Sequence, residues 1–231
     1  LVIERNSMSK LLVKFPSRNR PEKFRDILDN YTSRTSGKHE VRFVISMDLD
    51  DETMNNDEIK SYLESLRDKG IDLVYHYGKS KTKVEACNAD LEGEKADVIL
   101  LISDDMVLQQ DNYDDIIMSD FAEHLPNYDG GIKYFDGLRN DALMTLPIIG
   151  WNFYEKFGYI YNPEYTSVYC DTEQTHVLML LNKLVVSQTC IAKHDWTPQP
   201  FDELHARNEN ALMYEKDGSI FHRNKALNFN L

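Results

Sequence analysis

The sequence Val-Ile-Leu-Leu-Ile-Ser-Asp-Asp at residues 98–105 indicates both the kind of sheet in this protein and the place of its site. The five apolar residues predict a strand buried on both faces, which is typical of a parallel sheet covered by helices. Two carboxylates, Asp104 and Asp105, then lie at the carboxyl end of that strand. Like charges held close together raise each other's pKa unless a cation neutralises them, so the pair favours a bound Mg²⁺ or Mn²⁺. The alternative is that Asp104 caps the next turn and Asp105 is solvated.

The sequence before this strand alternates between strand-like and helix-like segments. Residues 11–15, 41–46 and 71–77 are short and apolar, and a segment with helical spacing follows each of them. The alternation predicts right-handed βαβ crossovers and a mainly parallel sheet. In such a sheet, ligands bind beyond the carboxyl ends of the strands.

The second half of the sequence is less regular. After a predicted helix over 114–125, glycines and prolines separate short segments, and we expect the sheet to become mixed. We predict a helix over 171–184, a strand over 185–193, and a helical tail over 200–231 that breaks near Gly218. Residues 1–7 lack the apolar region of a secretory signal, and we expect them to precede a native start at Met8.

Composition narrows the classes of function. The chain has 231 residues, of which 42% are hydrophobic and 28% charged, as in an ordinary globular domain. With 26 basic and 39 acidic residues the net charge is −13, which disfavours nucleic acid as the main partner, because phosphate binding depends on a surplus of Lys and Arg. No apolar run approaches the roughly 20 residues that span a bilayer. Three dispersed cysteines without a CxxC pair favour reduced thiols and a cytoplasmic setting.

Polar residues also follow the first two predicted strands. Asp48 ends the second, where an acid can accept hydrogen bonds from a base or a ribose; a solvated acidic loop is the alternative. Ser17 and Arg18 follow the first strand. Because neither GxGxxG nor GxxxxGK[ST] is present, dinucleotide-fingerprint and P-loop chemistry are disfavoured.

In their order along the chain, these segments resemble GT-A nucleotide-sugar glycosyltransferases of the family 2 type, in particular the small virus- and phage-encoded members. The first matching segment is Phe15-Pro-Ser-Arg-Asn-Arg-Pro-Glu-Lys23. Residues 103–106 match the DxD element, although they read Ser-Asp-Asp-Met. The resemblance covers about residues 11–196, and its other segments are 80–88, 146–150, 153–159, 170–173 and 194–196.

The resemblance implies an α/β GT-A fold, with a central mainly parallel mixed sheet flanked by helices, in one domain over 8–231. Its nucleotide-binding half would span about 8–125 and its acceptor half about 126–231. The implied reaction transfers a hexose or deoxyhexose from a nucleotide-diphosphate sugar, with a UDP-sugar favoured, to a glycan hydroxyl, with inversion. The cofactor would be Mn²⁺ or Mg²⁺, and the partners would be the donor and a glycan or glycoprotein acceptor, without nucleic acid or a membrane span.

The resemblance also assigns roles to residues. Lys83 would neutralise the diphosphate and Asn88 would lie beside it, with a solvated helix surface as the alternative for both. Asp105 is the first choice of metal ligand, together with Asp104 and His194; a lone histidine is otherwise structural. The nucleoside would be held by Pro16, Ser17, Arg18, Asp48 and Asp104.

The general base is expected at the start of a predicted helix. Asp171 and Glu173 lie there, where acidic residues commonly cap helices. Inversion requires a carboxylate that takes the proton of the acceptor hydroxyl, and we prefer Asp171 to Glu173. A nucleotidyltransferase and a non-catalytic domain that binds nucleotide sugars or glycans remain alternatives. Four aromatic residues are candidates to stack on a sugar ring, with the core as their alternative: Trp151, Tyr154, Tyr159 and Trp196.

Overall fold

The computed structural model describes residues 8–195 and 203–231, apart from the side chains of residues 203–205. Residues 1–7 and Trp196, which the sequence analysis singled out, lie outside the described residues. The first half of the chain contains β1 (Lys10–Pro16), α1 (Pro21–Thr32), β2 (Glu40–Asp48), α2 (Asp57–Asp68), β3 (Leu73–Gly78), α3 (Lys83–Asn88), β4 (Val98–Leu101), β5 (Met106–Leu108) and α4 (Tyr113–His124).

The second half has shorter strands. It contains β6 (Gly131–Lys133), β7 (Ile148–Gly150), α5 (Trp151–Phe157), α6 (Cys170–Leu180), β8 (Leu184–Val186), β9 (Ala192–His194), α7 (Glu203–Asn208), α8 (Ala211–Ala226) and a 3₁₀ turn (Asn228–Asn230).

Seven strands form one sheet in the order β3-β2-β1-β4-β7-β6-β8, and β5 pairs with β9 in a separate two-stranded sheet. β1 to β4 are parallel, β7 runs antiparallel between β4 and β6, and β6 pairs in parallel with β8. The predicted fold class, an α/β domain with a mainly parallel mixed sheet, is confirmed. This order places β1, β2 and β4, whose ends carry the predicted polar residues, side by side.

The alternation of side chains along β1 builds a core on each face of the sheet. Leu11, Val13 and Phe15 pack with α1, α2 and α4, whereas Leu12 packs with α3, α5 and α6 on the opposite face. All four residues of β4 are buried, as their unbroken apolar run predicts. Because both faces are covered by helices, the open edge for ligands is the one formed by the carboxyl ends of the strands.

Three elements in the second half differ from the prediction. The segment 185–193 forms two short strands in different sheets, because residues 187–191 leave β6 before the chain joins β5 as β9. Helix α6 ends at Leu180, and Asn182 has a left-handed backbone with φ 55°, which stops the helix before 184. Helix α8 continues through Gly218, which is buried beside the Tyr169 ring, so this glycine does not break the helix.

Candidate functional site

A cavity of about 830 Å³ opens where β1, β2 and β4 end. The two-stranded sheet, the start of α6 and helix α7 complete its walls. Most of the predicted site residues line it, and the structure therefore brings together residues from six segments of the chain. The predicted residues in its lining are Pro16, Ser17, Arg18, Asp48, Lys83, Asp104, Asp105, Asp171 and His194.

Asn88 and Glu173 do not line this cavity. Asn88 accepts hydrogen bonds from the backbone N–H groups of Ile160 (2.9 Å) and Tyr161 (3.0 Å), so it fastens α3 to that segment. The Glu173 carboxylate is buried and accepts hydrogen bonds from Asn162 (2.6 Å), the Tyr165 hydroxyl (2.5 Å) and Asn224 (3.0 Å). The geometry of both side chains fits a role in holding the fold, not contact with a ligand in the cavity.

The two carboxylates after β4 have separate partners. Asp104 forms an ion pair with Arg20 at 2.7 Å, with both side chains nearly buried. Asp105 accepts a hydrogen bond from the Ser103 hydroxyl and lies 3.3 Å from Nε2 of His194, which β9 brings beside β5. Arg20 thus supplies part of the neutralisation that the sequence assigned to a metal alone.

These contacts move the pKa values of the two acids in opposite directions. Burial raises the pKa of Asp104, and the Arg20 guanidinium offsets only part of that rise. Burial acts in the same direction on Asp105, but the hydrogen bonds from His194 and Ser103 outweigh it and hold its pKa well below the usual range. Burial lowers the pKa of His194, and the Asp105 carboxylate outweighs this effect and raises it. Asp105 is therefore ionised at neutral pH.

Ion pairs also tie the loop after β1 to the end of β2. The Arg18 guanidinium contacts Asp48 at 2.6 Å and Asp50 at 2.7 Å. The backbone N–H of Asn19 donates to Asp51 at 2.7 Å. The Ser17 hydroxyl has no hydrogen-bond partner among residues 8–195 and 203–231. This loop is fixed by its own charges while Ser17 keeps unused hydrogen-bonding capacity.

Lys83 and Asp171 are charged cavity residues without an ion pair in the part of the chain that the structure describes. Lys83 is the first residue of α3, which Thr82 caps by accepting from the backbone N–H of Glu85 (3.1 Å). Asp171 lies in the first turn of α6, and its Oδ1 accepts from the backbone N–H of Thr172 at 2.7 Å. An unpaired cation and an unpaired carboxylate thus share the cavity.

Sequence reasoning missed three arginines that line the cavity. Arg20 lies in the segment 15–23, which resembles the GT-A family, so that resemblance could have indicated it as a site residue. Arg139 follows β6 in a loop that the buried Asp136 organises by accepting from the backbone N–H groups of Leu138 and Arg139. Arg207 on α7 donates to the backbone carbonyl of Lys81 (3.2 Å) and so reaches the segment before α3. No periodic pattern marks the last two.

Of the aromatic candidates within the described residues, Trp151 and Tyr154 pack in the core and Tyr159 lies at its margin. Trp151 is 9% exposed and packs against Tyr154 with ring centroids 5.0 Å apart, and Tyr159 packs against Phe157 at 6.0 Å. Trp151, Tyr154 and Tyr159 do not line the cavity. Their alternative reading as core residues therefore fits the structure better than contact with a sugar.

The described residues contain neither a three-ligand metal cluster nor a membrane-spanning helix. Within 8–195 and 203–231, no three His, Cys, Asp or Glu side chains are grouped so that they could hold a metal ion together. Asp105 and His194 are thus a pair, with Asp104 directed to Arg20. Across the same ranges, no helix is long and apolar enough to cross a membrane.

Comparison with known proteins identifies solved structures with a similar architecture. No protein-family model and no curated protein matches the sequence. Among solved structures, the mannosyltransferase PcManGT from Pyrobaculum calidifontis, in complex with GDP-Man and Mn²⁺, aligns over 94% of this chain and 65% of its own, with a TM-score of 0.68 and 12% identity. S. aureus TarS 1–349 with UDP-GlcNAc aligns over 85% and 61%, with a TM-score of 0.62 and 16% identity.

This chain has the GT-A fold. A third structure with this fold, glucosyl-3-phosphoglycerate synthase from Mycobacterium tuberculosis with Mg²⁺ and UDP, aligns over 91% of this chain and 80% of its own, with a TM-score of 0.58 and 12% identity. The chain spans less than two thirds of the PcManGT and TarS chains. At these identities the likeness establishes the fold, and the chemistry has to be argued from the cavity.

Proposed function

We propose that this GT-A protein is a metal-dependent glycosyltransferase that moves a hexose or deoxyhexose from a nucleotide-diphosphate sugar, with a UDP-sugar favoured, to a glycan hydroxyl with inversion. The observation that carries the proposal is that one cavity gathers the Asp105–His194 pair with the unpaired Lys83 and Asp171. Solved structures of the same fold in complex with GDP-Man and Mn²⁺, or with UDP and Mg²⁺, support this choice.

The donor would bind along the ends of β1 and β2. Arg18 holds Asp48 in place, and the Ser17 hydroxyl is available to the nucleoside. Lys83 meets the diphosphate, and Arg207 approaches the same segment from α7. The cavity lining holds five Lys and Arg side chains against five Asp and Glu side chains, so its local charge is balanced although the whole chain carries −13, and a divalent cation would make it favourable to an anionic donor.

The residues beside β5 fit a divalent cation. A carboxylate oxygen of Asp105 and the imidazole of His194 are donors that suit Mn²⁺, and both side chains line the cavity. Asp104 would contribute by holding Arg20. The ion, when bound, supplies positive charge that stabilises the departing nucleoside diphosphate.

Asp171 is the proposed general base. It lies at the N-terminus of α6, has no cationic partner in the described residues, and bonds only to its neighbour Thr172 through its side chain. As the acceptor oxygen forms its bond to the anomeric carbon, the bond from that carbon to the diphosphate oxygen breaks. The proton of the acceptor hydroxyl passes to the Asp171 carboxylate. Glu173 is bound within the fold and leaves this role to Asp171.

The proposal also includes the finer expectations from the sequence analysis. The nucleotide half would span about 8–125 and the acceptor half about 126–231, the acceptor would be a glycan or glycoprotein, and the setting would be the cytoplasm. The three dispersed cysteines are the part of the sequence argument that supports this setting, and the resemblance to small virus- and phage-encoded enzymes would make it the cytoplasm of a host.

The test is a panel of nucleotide sugars screened by thermal shift with and without Mn²⁺, followed by product analysis of each hit. A ligand that binds only the native state raises the melting temperature. We expect a Mn²⁺-linked shift and release of nucleoside diphosphate when a glycan acceptor is added. Pyrophosphate release from a nucleoside triphosphate would instead indicate nucleotidyl transfer, and binding without turnover would indicate a non-catalytic domain.

A further inference from the structure

Asp217, on α8, is a fully buried carboxylate that accepts hydrogen bonds from three consecutive backbone N–H groups. Its Oδ2 accepts from Ser167 at 2.8 Å and from Val168 at 3.0 Å, and both oxygens lie 3.1 Å from the N–H of Thr166. Three N–H groups that converge on one carboxylate fix the backbone of residues 166–168, which we call the 166–168 loop.

The 166–168 loop lies between the two unpaired charges of the cavity. Toward α3, the carbonyl of Thr166 accepts from the backbone N–H of Val84 at 3.3 Å, directly after Lys83. Toward α6, the loop leads through Tyr169 to Asp171 in the first helical turn. Ser167 and Val168 themselves line the cavity. One loop therefore sets the backbone position of both Lys83 and Asp171.

The rest of α8 supports the same arrangement. Phe221 of α8 stacks on the ring of Tyr169, the residue that precedes α6, with ring centroids 5.5 Å apart. Asn224, also on α8, donates to Glu173 of α6 at 3.0 Å. Helix α8 holds both ends of the segment that carries Asp171.

We propose that Asp217 is a positioning residue for the reaction, which holds the 166–168 loop so that Lys83 and Asp171 face the same bound substrates. This inference rests on the proposed function of the cavity. Asp217 does not line the cavity, and it acts through the backbone that it binds.

The experiment compares Asp217→Asn with the matched control Asp114→Asn. Asp114 is also fully buried and accepts from the backbone N–H and hydroxyl of one residue, Ser36 (2.7 and 2.5 Å), but it lies on α4 away from the cavity. We expect both variants to melt at lower temperature. At temperatures below the melting transitions of both variants, Asp217→Asn should raise the donor KM and lower kcat by about tenfold each. In Asp114→Asn, both quantities should stay within about twofold of wild type.

A merely structural role would lower apparent kcat through the folded fraction and leave KM unchanged, in both variants alike. That result, or unchanged KM and kcat in folded Asp217→Asn, would overturn the inference. If Asp217→Asn does not fold, Asp217→Glu keeps the charge while displacing the oxygens, and the same KM and kcat criteria apply to it.

Hydrogen exchange separates this inference from the proposed function. We expect the amides of Ser167, Val168 and Val84 to exchange faster in Asp217→Asn than in Asp114→Asn, since the first variant weakens the bonds that hold them. Absence of transfer by the wild-type protein with every donor would refute the proposed function. Wild-type exchange of the Val84 amide in Asp217→Asn would refute the positioning role, whether or not transfer is found.

Discussion

The two walls of the cavity hold their charged groups in different ways. In the first wall, formed by cavity residues 16–106, side chains pair with one another, as Arg18 does with Asp48 and Arg20 with Asp104. The second wall is formed by cavity residues 138–214. The buried carboxylates of Asp136 and Asp217, which do not line the cavity themselves, accept hydrogen bonds from backbone N–H groups of this wall or of the loop beside it. Apart from Lys83, the first wall therefore holds its charges in preformed ion pairs, whereas the second presents Asp171 without a cationic partner in the described residues.

This difference predicts which kinetic quantity each wall controls. Preformed ion pairs in the first wall position groups that bind the donor, so damage there should appear in donor affinity and in cation-linked binding. The second wall presents the proposed base, so loss of Asp171 should appear in the rate of transfer, whereas loss of Asp217, which also reaches Lys83 through the 166–168 loop, should change both the rate and the donor KM. The variants below test that division in order of decreasing effect on transfer.

Asp105→Asn is expected to have the largest effect on transfer, because Asp105 joins the first wall to His194 of β9. Removal of its charge should lower transfer by about a thousandfold, the scale of losing a group that stabilises developing charge. Calorimetry should show that Mn²⁺ no longer strengthens donor binding. Asp115→Asn, on the surface beside Lys38, is the control and should keep both properties. Retained Mn²⁺-linked binding in Asp105→Asn would break the assignment of the metal ligand.

Asp171→Asn should lower kcat by about a hundredfold or more with little change in donor KM, since a general base contributes on that scale. Its control is Glu173→Gln, two residues along α6. That change disturbs the hydrogen bonds with Tyr165 and Asn224, so we expect a lower melting temperature and near-normal kcat in the folded protein. The opposite pattern would move the base to Glu173 and remove the contrast between the walls.

Lys83→Met should weaken donor binding by about tenfold, because hydrogen bonds to a charged group contribute roughly 1.5–3 kcal/mol. The effect should shrink as salt rises, because ions screen charges in an open cavity. Lys79→Met provides the control, since Lys79 is exposed just before the cavity segment and does not line the cavity. Equal donor affinities for the two variants, measured by calorimetry at two salt concentrations, would remove Lys83 from the donor site.

The sequence predicted the first wall better than the second. Because the βαβ units are regular, the sequence alone located the ends of β1, β2 and β4. These ends carry Ser17, Asp48 and Asp105. The position of Asp171 on a helix start was also readable. Arg139 and Arg207 were missed because they lie in segments whose placement depends on tertiary contacts, such as the bond from Arg207 to the Lys81 carbonyl.

The partners of individual acids were beyond sequence reasoning as well. Nothing in local pattern shows that Arg20, 84 positions earlier, pairs with Asp104. Glu173 and Asp171 share a helix turn, yet only the former meets Tyr165 and Asn224, which separates a structural acid from a cavity acid. Helical spacing places both near a site, and only packing decides which one faces it.

Each wall has a buried charged residue that supports it without lining the cavity. Asp217 has this position behind the second wall, and Lys14 has it behind the first. Lys14 of β1 is fully buried and donates to the Ser46 hydroxyl, which in turn donates to Asp90, and Ser46 lines the cavity. Burial lowers the pKa of Lys14 from 10.5 to about 8, with Asp90 opposing part of that change. Because Lys14 does not line the cavity, Lys14→Met should change transfer the least in this series, within about threefold.

Stability is the property in which Lys14 should be visible. Between pH 8 and 10.5 the unfolded chain keeps the Lys14 proton while the folded chain loses it, so the free energy of unfolding rises with pH across this window. At 1.36 kcal/mol per pKa unit the rise is on the order of 3 kcal/mol. Urea unfolding at pH 7.5 and pH 10 should show this rise in the wild type and in Lys10→Met, on the same strand, and not in Lys14→Met. Identical pH dependence in all three proteins would show that Lys14 has the same pKa in the folded and the unfolded chain, and that Asp217 has no counterpart behind the first wall.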